Sequence, residues 1–194
     1  MKGLVFILLL VCMGTSQALA QGAGIGAFGS YWDSKDVDDA IGGGALLRFE
    51  PDPAFQLDLR GSYFEFDDRV GGAKADLTVI PVEAALMFKP IVERGYEIYV
   101  GGGVGYYFAD ADVIIPGGTI DLDFDDEFGY FALAGLQFNV NPNFSLFAEV
   151  KYTWLEFDET KVSSKDFQEL GSERIDIDLK MDGIGFNAGL LLLF

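Results

Sequence analysis

The sequence predicts an all-β protein of 194 residues whose strands form a closed eight-stranded antiparallel up-and-down transmembrane β-barrel. Three observations predict this fold class. Segments of about ten residues alternate between an apolar parity and a mixed parity. Charged residues inside these segments fall almost always on the mixed parity. The connections between the segments alternate between short and long.

The first four predicted strands each carry one apolar face. They span Gly22–Trp32, Ala40–Phe49, Phe55–Phe66 and Leu77–Phe88. Their apolar parities are, in order, Ala23, Ile25, Ala27 and Tyr31; Ile41, Ala45, Leu47 and Phe49; Phe55, Leu57, Leu59 and Tyr63; Ile80, Val82, Ala84, Leu86 and Phe88. Because side chains of a strand alternate between two faces, each set lies on one side of the sheet.

The last four predicted strands repeat the pattern. They span Tyr96–Phe108, Glu127–Asn139, Phe144–Leu155 and the run that ends at Phe194. Their apolar parities are Tyr96, Ile98, Val100, Val104, Tyr106 and Phe108; Phe128, Tyr130, Ala132, Ala134, Leu136 and Phe138; Phe144, Leu146, Ala148, Val150, Tyr152 and Trp154; Phe186, Ala188, Leu190, Leu192 and Phe194. Aromatic residues concentrate at the segment ends, as the interfacial girdles of a membrane barrel require.

The connections separate the two ends of the predicted barrel. The short ones are Glu50–Pro53, Lys89–Gly95 and Val140–Asn143, and the long ones are Asp33–Asp39, Asp67–Asp76, Ala109–Asp126 and Glu156–Asp178. Short turns on the periplasmic side and long loops outside are the arrangement of outer-membrane barrels. An even strand number then places both termini on the periplasmic side. Lipid allows no open sheet edge, which favours a closed barrel.

Both ends of the chain indicate export. We predict a cleaved signal peptide over residues 1–20, followed by the barrel over residues 21–194. The signal peptide is indicated by the positive charge of Lys2, the apolar run Leu4–Met13 and the cleavage site Ala18-Leu19-Ala20. A lipoprotein signal at Cys12 is the less favoured alternative. The terminal run resembles the last strand of bacterial outer-membrane barrels, so Phe194 is the predicted assembly signal for the barrel assembly machinery. The alternative is a core strand of a soluble sheet.

Composition excludes several functions. The formal net charge of −18 disfavours nucleic acid as a partner, because phosphates are repelled. The chain has no histidine, which removes the commonest general base and a favoured transition-metal ligand. We therefore predict no catalytic residue, no cofactor and no specific metal site, and we do not expect an enzyme. Cleavage after residue 20 would remove Cys12, so no disulfide framework is expected.

The mixed parity predicts a polar interior. Charges on this parity are Arg48, Asp58, Arg60, Glu83, Glu149 and Lys151. If the apolar parity faces lipid, these side chains face the lumen, where buried charges must pair and form hydrogen bonds. We predict a luminal polar network of these six residues. The sequence does not determine which of them touch.

Small and large residues share the inward parity. Twelve glycines, among them Gly103 and Gly135, face ten large side chains: Phe28, Trp32, Leu46, Phe64, Met87, Tyr99, Tyr107, Phe131, Phe147 and Leu155. One interpretation is mutual filling, because eight strands leave little room beyond side chains. The other is a narrow, partly apolar lumen that admits a small hydrophobic molecule. Both interpretations remain open.

The long connections are acidic. Asp33, Asp36, Asp38 and Asp39 lie in the first, and Asp121, Asp123, Asp125, Asp126 and Glu127 lie in the third. The third opens like a calcium loop, but it lacks the glycine at the sixth position and has Ala132 where a bidentate glutamate is needed. Divalent cations held loosely by a solvated loop are the simpler expectation. Outer-membrane lipid and anionic lipopolysaccharide are the expected surroundings, and the oligomeric state is not determined.

Two segments carry a family resemblance. The first resembles a glycine-rich strand of the outer-membrane β-barrel domain family, and its sequence is Tyr99-Val100-Gly101-Gly102-Gly103-Val104-Gly105-Tyr106-Tyr107. This family includes small porin-like, opacity-type and OmpW-like proteins. Phe144–Tyr152 is similar to a later strand of that family. The resemblance implies a Gram-negative outer-membrane location. It implies either a structural or surface-interaction role through the acidic loops or, alternatively, a narrow passive channel or conduit for small hydrophobic molecules.

Overall fold

The computed structural model describes residues 22–35, 39–70, 73–115, 118–124, 126–157, 160–164, 173–175 and 179–194. For residues 67–76, 110–125 and 156–179, only the backbone of those within these ranges is described. The predicted signal peptide and its cleavage site lie outside the described residues, as do Asp36, Asp38 and Asp125.

Regular structure in these ranges consists of β-strands. They are β1 (Ala23–Ser34), β2 (Ala40–Asp52), β3 (Phe55–Val70), β4 (Ala73–Val92), β5 (Tyr96–Ile115), β6 (Gly118–Phe124), β7 (Glu127–Asn141), β8 (Phe144–Trp154), β9 (Glu156–Phe157), β10 (Thr160–Ser164), β11 (Glu173–Ile175), β12 (Leu179–Lys180) and β13 (Gly183–Leu193). In the described part of the chain, no helix is long and apolar enough to cross a membrane.

Eight long strands close into a barrel. The order β1-β2-β3-β4-β5 continues through pairing of β5 with β7, then β8 and β13, and β13 pairs with β1. Every pairing is antiparallel, and β13 pairs with β1 from Gly24↔Leu193 to Ser34↔Gly183. The predicted closed eight-stranded up-and-down barrel is therefore confirmed.

Alternation separates an outer apolar face from a filled interior. Outward residues such as Val82, Leu86 and Val104 are exposed by 52 to 58%. Inward residues such as Met87 and Tyr99 are fully buried. Because no charged residue interrupts the outward parity of the strand centres, this surface suits contact with lipid acyl chains.

Three predicted strand ends at the long-connection end are wrong, whereas the predicted starts at Ala40 and Glu127 agree with the structure. Strand β3 continues past Phe66 to Val70, β4 begins at Ala73 rather than Leu77, and β5 continues past Phe108 to Ile115. With β6, β10 and β11, these strands form a sheet that extends beyond the barrel. In β5 and β6, aspartates replace apolar residues on one parity while the other parity stays apolar, and the backbone pairing continues.

Tight turns join the strands at the other end. The Ala54 amide donates to Asp52 Oδ1 at 2.8 Å, and the Asn143 amide donates to Asn141 Oδ1 at 2.9 Å. Such side-chain acceptors satisfy turn amides locally. The Phe194 amide donates to the Ala23 carbonyl at 3.0 Å, so the first and last barrel strands meet at this short-turn end.

Candidate functional site

The centre of the lumen contains an ion-pair network around Asp58. Arg48 on β2 donates from Nε and Nη2 to the two carboxylate oxygens of Asp58 on β3, at 2.9 and 2.8 Å. Arg60, also on β3, donates from Nη2 to Asp58 Oδ2 at 2.7 Å. Asp58 and Arg48 are completely buried and Arg60 is 3% exposed. The Asp58 carboxylate thus pairs with two guanidinium groups that are buried from water.

Glu149 on β8 completes this network. Its two carboxylate oxygens accept hydrogen bonds from both terminal nitrogens of Arg60. This bidentate arrangement is among the stronger polar contacts in proteins. The Tyr99 hydroxyl on β5 donates to Glu149 Oε1 at 2.7 Å, and Asn187 Nδ2 on β13 lies 3.3 Å from Oε2. The charges of Arg48, Arg60, Asp58 and Glu149 sum to zero, which is the condition for burying them together.

Glu83 and Lys151 form a separate pair on the long-connection side of this centre. Lys151 Nζ on β8 donates to Glu83 Oε1 on β4 at 2.7 Å, and the Tyr107 hydroxyl donates to the same oxygen at 2.9 Å. Lys151 also lies 5.1 Å from the centre of the Phe131 ring. The structure therefore buries all six predicted luminal residues, four in the central network and two in this pair.

A third charged group lies toward the short-turn end, where sequence reasoning missed it. Lys89 Nζ on β4 lies 3.0 Å from Glu50 on β2 and 3.1 Å from Glu97 on β5. Glu50 and Lys89 belong to strands rather than to the predicted turns. Lys89 has the same parity as the inward Met87, and Glu97 has the same parity as the inward Tyr99. The sequence pattern could therefore have identified Lys89 and Glu97 as luminal. Sequence analysis placed Glu50 and Lys89 in the short connections Glu50–Pro53 and Lys89–Gly95 and therefore did not assign them to the lumen.

Neutral side chains link the central network to the Lys89 group. Arg48 Nη1 donates to Gln137 on β7, whose Nε2 donates to Asn139 at 2.9 Å, and Asn139 donates to Glu97 at 2.9 Å. Ser30 on β1 donates to Asn187 at 2.6 Å. All eight barrel strands thus contribute to one chain of polar contacts. A pocket of about 420 Å³ lies beside it at the short-turn mouth, between Arg94, Asn139, Pro142 and Leu193.

Large rings occupy the space above glycines. A Cβ at Gly103 would lie 2.8 Å from the Phe131 ring, and one at Gly44 would lie 2.7 Å from the Phe28 ring. At Gly135, the three nearest atoms to such a Cβ all belong to Tyr99. All ten predicted inward large residues are buried. This packing is the mutual filling that the sequence allowed.

The long-connection half of the lumen is apolar. Trp32 packs edge to face on Phe64 and Phe66, with ring centres 5.3 and 5.8 Å apart. Tyr107, Leu155 and other buried apolar residues belong to the same cluster. The interior therefore changes from charged at its centre to aromatic toward this end.

Beyond the barrel, aspartates lie opposite one another. In the β5–β6 pairing, Asp110 is the partner of Asp123 and Asp112 is the partner of Asp121. Asp110 and Asp112 continue the parity of the exposed Phe108, so these positions lie on the outward face of the sheet. Among the side chains that the structure describes, no three acidic or cysteine groups are placed to hold a metal ion.

One ion pair lies outside the membrane-spanning part. Lys35 Nζ donates to Asp182 Oδ2 at 3.1 Å, and the Leu155 amide donates to Asp182 Oδ1 at 3.0 Å. Burial alone would raise the pKa of Asp182. The Leu155 amide and the Lys35 ammonium outweigh that effect and lower this pKa below its ordinary value.

Phe194 lies at the short-turn end, 67% exposed on the outer surface. An exposed terminal aromatic is available to a partner, but its recognition by the assembly machinery stays a prediction.

Comparisons with known proteins agree with this architecture. A family model described as outer membrane protein beta-barrel domain matches residues 5–190. No curated protein matches the sequence at a significant level. The fold is similar to OprG of Pseudomonas aeruginosa, an outer membrane protein, with a TM-score of 0.73 and 17% identity over 92% of this chain and 98% of that one.

Two further solved structures are similar. Neisserial surface protein A gives a TM-score of 0.56 and 14% identity, over 89% of this chain and 96% of that one. Ail, the attachment invasion locus protein of Yersinia pestis, gives a TM-score of 0.52 and 17% identity, over 90% of this chain and 99% of that one. At these identities the likeness is one of fold.

Proposed function

The chain belongs to the outer membrane protein beta-barrel domain family, and from this premise we propose that it is a small integral outer-membrane protein with a surface-interaction role. Its acidic long-connection end faces the exterior and contacts anionic lipopolysaccharide through divalent cations. The barrel is the rigid support that holds this end at the membrane surface.

One observation carries the proposal, namely the like-charge register of the β5–β6 hairpin. Asp110↔Asp123 and Asp112↔Asp121 occupy two rungs on one face, with Asp76 of β4 opposite Asp112. Like charges directly opposite each other destabilise a sheet. A divalent cation relieves that repulsion, and carboxylate oxygens are its preferred ligands.

Electrostatics determines whether such an acidic surface attracts or repels lipopolysaccharide. Direct contact between these carboxylates and lipopolysaccharide phosphates would be repulsive. A shared calcium or magnesium ion reverses the sign of the interaction because it binds both partners. The filled lumen also favours an activity on the surface over one inside the barrel.

The test neutralises the hairpin. The quadruple variant Asp110→Asn, Asp112→Asn, Asp121→Asn and Asp123→Asn is compared with the natural protein for binding to lipopolysaccharide vesicles during a calcium titration. We expect binding to strengthen at millimolar calcium in the natural protein and to lose this dependence in the variant. A matched control, Asp52→Asn with Glu93→Gln at the short-turn end, keeps it.

Two results would overturn the proposal. One is binding that ignores calcium and magnesium in the natural protein. The other is a calcium dependence that survives in the quadruple variant. Heat-modifiable gel migration establishes that each variant forms the folded barrel before binding is compared.

The conduit alternative has one feature in its favour, the aromatic cluster around Trp32 that lines the long-connection half of the lumen. A molecule that passed this cluster would next meet the buried network of Arg48, Asp58, Arg60 and Glu149, which would have to open. Uptake of small hydrophobic dyes into vesicles carrying the natural barrel, faster than into empty vesicles, would favour the conduit over the surface role.

A further inference from the structure

Aromatic side chains are distributed differently at the two ends of the lipid-facing surface. At the short-turn end, they are spread evenly, with Phe49, Phe55, Phe88, Tyr96, Phe138 and Phe144 on six different strands and Phe194 after a seventh. An even ring of this kind anchors a barrel in the interface on all sides.

At the long-connection end, six aromatic residues lie on three neighbouring strands. This aromatic patch consists of Tyr106 and Phe108 on β5, Phe128 and Tyr130 on β7, and Tyr152 and Trp154 on β8. On the other five barrel strands, the outward aromatic residues of this end are Tyr31, Tyr63 and Phe186. Anchoring alone gives no reason for such concentration.

The rings of the aromatic patch contact each other in two groups of three. Tyr106 packs edge to face on Phe108 and Phe128, with ring centres 5.0 and 4.8 Å apart. Trp154 stacks on Tyr130 at 5.2 Å and meets Tyr152 at 4.7 Å. Phe128 and Tyr130 are nevertheless 74% and 60% exposed. These contacts preorganise the rings, so little conformational freedom is lost when something covers them.

The position of the aromatic patch selects its occupant. Three strands span about 10 Å across the sheet, which is broad enough for adjacent acyl chains of one molecule. Directly beyond Phe108 on the same face come Asp110 and Asp112, and the partner of Asp123 on β10 is Lys161. Lys161 is in turn the partner of Arg174 on β11, so two cationic positions are neighbours on this face. An apolar surface with such cationic positions beyond it suits a lipid with several acyl chains and a phosphorylated headgroup.

We infer that the aromatic patch is a fixed binding site for the lipid A part of lipopolysaccharide, with the acyl chains on the rings and the phosphates toward Lys161 on β10 and Arg174 on β11. The inference rests on the proposed function, because the outward orientation of this end is shared by both. It adds a defined lipid site on one wall of the barrel to a general surface interaction.

The experiment measures lipid retained by the barrel. The protein is reconstituted in vesicles of phosphatidylethanolamine and lipid A, extracted in mild detergent and weighed by native mass spectrometry. The patch variant is Phe128→Leu, Tyr130→Leu and Trp154→Leu. The matched control replaces the three aromatic residues of the same end on the other wall, Tyr31→Leu, Tyr63→Leu and Phe186→Leu.

We expect the patch variant to retain about tenfold less lipid A and the control to change by less than about twofold. Equal losses in both variants, or equal retention of phosphatidylethanolamine by the natural protein, would reduce the aromatic patch to ordinary anchoring. If the triple variant does not fold, Tyr130→Leu alone, set against Tyr31→Leu, provides the same comparison.

Calcium separates this inference from the proposed function. Selective retention that persists in a chelator, and is lost only in the patch variant, supports the lipid site and contradicts the cation bridge. Calcium-dependent vesicle binding that is lost in the aspartate variant, with equal lipid retention in the patch and control variants, supports the bridge and contradicts the lipid site.

Discussion

The centre of the lumen and the β5–β6 hairpin both concentrate charged residues, but they arrange them in opposite ways. In the lumen, Asp58 and Glu149 are interleaved with Arg48 and Arg60, and every cation lies against an anion. In the hairpin, aspartate lies opposite aspartate in two residue pairs on the same face, with the pair Ala111↔Leu122 between them. Acidic residues are thus paired with cations in the lumen and placed opposite other acidic residues in the hairpin.

Access to water explains the difference. A buried carboxylate without a partner costs several kcal/mol, so the lumen tolerates only a balanced set with its hydrogen bonds made. Beyond the membrane, the high dielectric constant of water lowers the cost of a like-charged pair to about 1 kcal/mol or less, so the repulsion is tolerated. Charge in the first region supports the barrel, and charge in the second is available to the surroundings.

The largest expected effect comes from breaking the balance in the lumen. Arg60→Met leaves Glu149 without its bidentate partner, and we expect the free energy of unfolding to fall by about 3–5 kcal/mol. Urea unfolding in lipid vesicles measures it. Arg94→Met, which removes an exposed cation at the short-turn mouth, serves as the control and changes stability by less than about 0.5 kcal/mol.

A double variant sharpens this test. Arg60→Met with Glu149→Met removes both members of the pair and should recover much of the lost stability, because no buried charge is left without a partner. A single variant that costs no more than the Arg94 control would mean that water reaches the network.

The next largest effect concerns the packing around the network. Gly135→Ala places a methyl group against Tyr99 and pushes its hydroxyl away from Glu149, so we expect a loss of about 1–3 kcal/mol. Gly61→Ala, on the lipid-facing side with nothing within 4 Å of its added Cβ, is the matched control. Equal unfolding free energies for the two variants would show that the Tyr99 ring has room to move.

A smaller effect with the opposite sign is expected in the hairpin. Replacing Asp112 and Asp121 by asparagine removes one repulsive rung and should stabilise the hairpin by about 0.2–1 kcal/mol without divalent cations. Amide hydrogen exchange of β5 and β6 measures this, and added calcium should shrink the difference. Slower exchange in the natural protein without calcium would contradict the repulsion.

The smallest effect comes from the exposed pair of Lys35 and Asp182. Because the pKa of Asp182 is lowered on folding, its contribution is present above the ordinary carboxyl pKa of about 4 and is lost as pH falls through the lower folded value. Solvent screening keeps the effect small. Asp182→Asn should remove this part of the acid dependence of unfolding, and an unchanged acid profile would show that the pair is not formed in solution.

The sequence predicted the barrel because membrane strands obey a simple period. Once Val82, Leu86 and Val104 were placed toward lipid, Arg48, Asp58 and Glu149 could only face the lumen. The pairing of Arg60 with Glu149 was not predictable, because it depends on the stagger between strands far apart in the sequence. Lys89 was missed because it was assigned to the short connection Lys89–Gly95.

The sheet beyond the barrel escaped prediction for a different reason. In β5 and β6, aspartates such as Asp112 alternate with apolar residues such as Val113 and Leu122, so the strand period continues there. The aspartates were nevertheless interpreted as parts of solvated loops. Only the backbone register shows that Asp110 and Asp123 are partners. Sequence analysis identified the acidic connections but not their regular spacing.

The pairing of β13 with β1 also sets the order of events when the protein is made. Strand β1 is synthesised early, but its partner β13 is synthesised last. The edge of β1 therefore stays unpaired until β13 has been exported. Contacts so distant in sequence form slowly, and unpaired edges invite aggregation meanwhile. We therefore expect the yield of folded barrel to fall when periplasmic chaperones are lost.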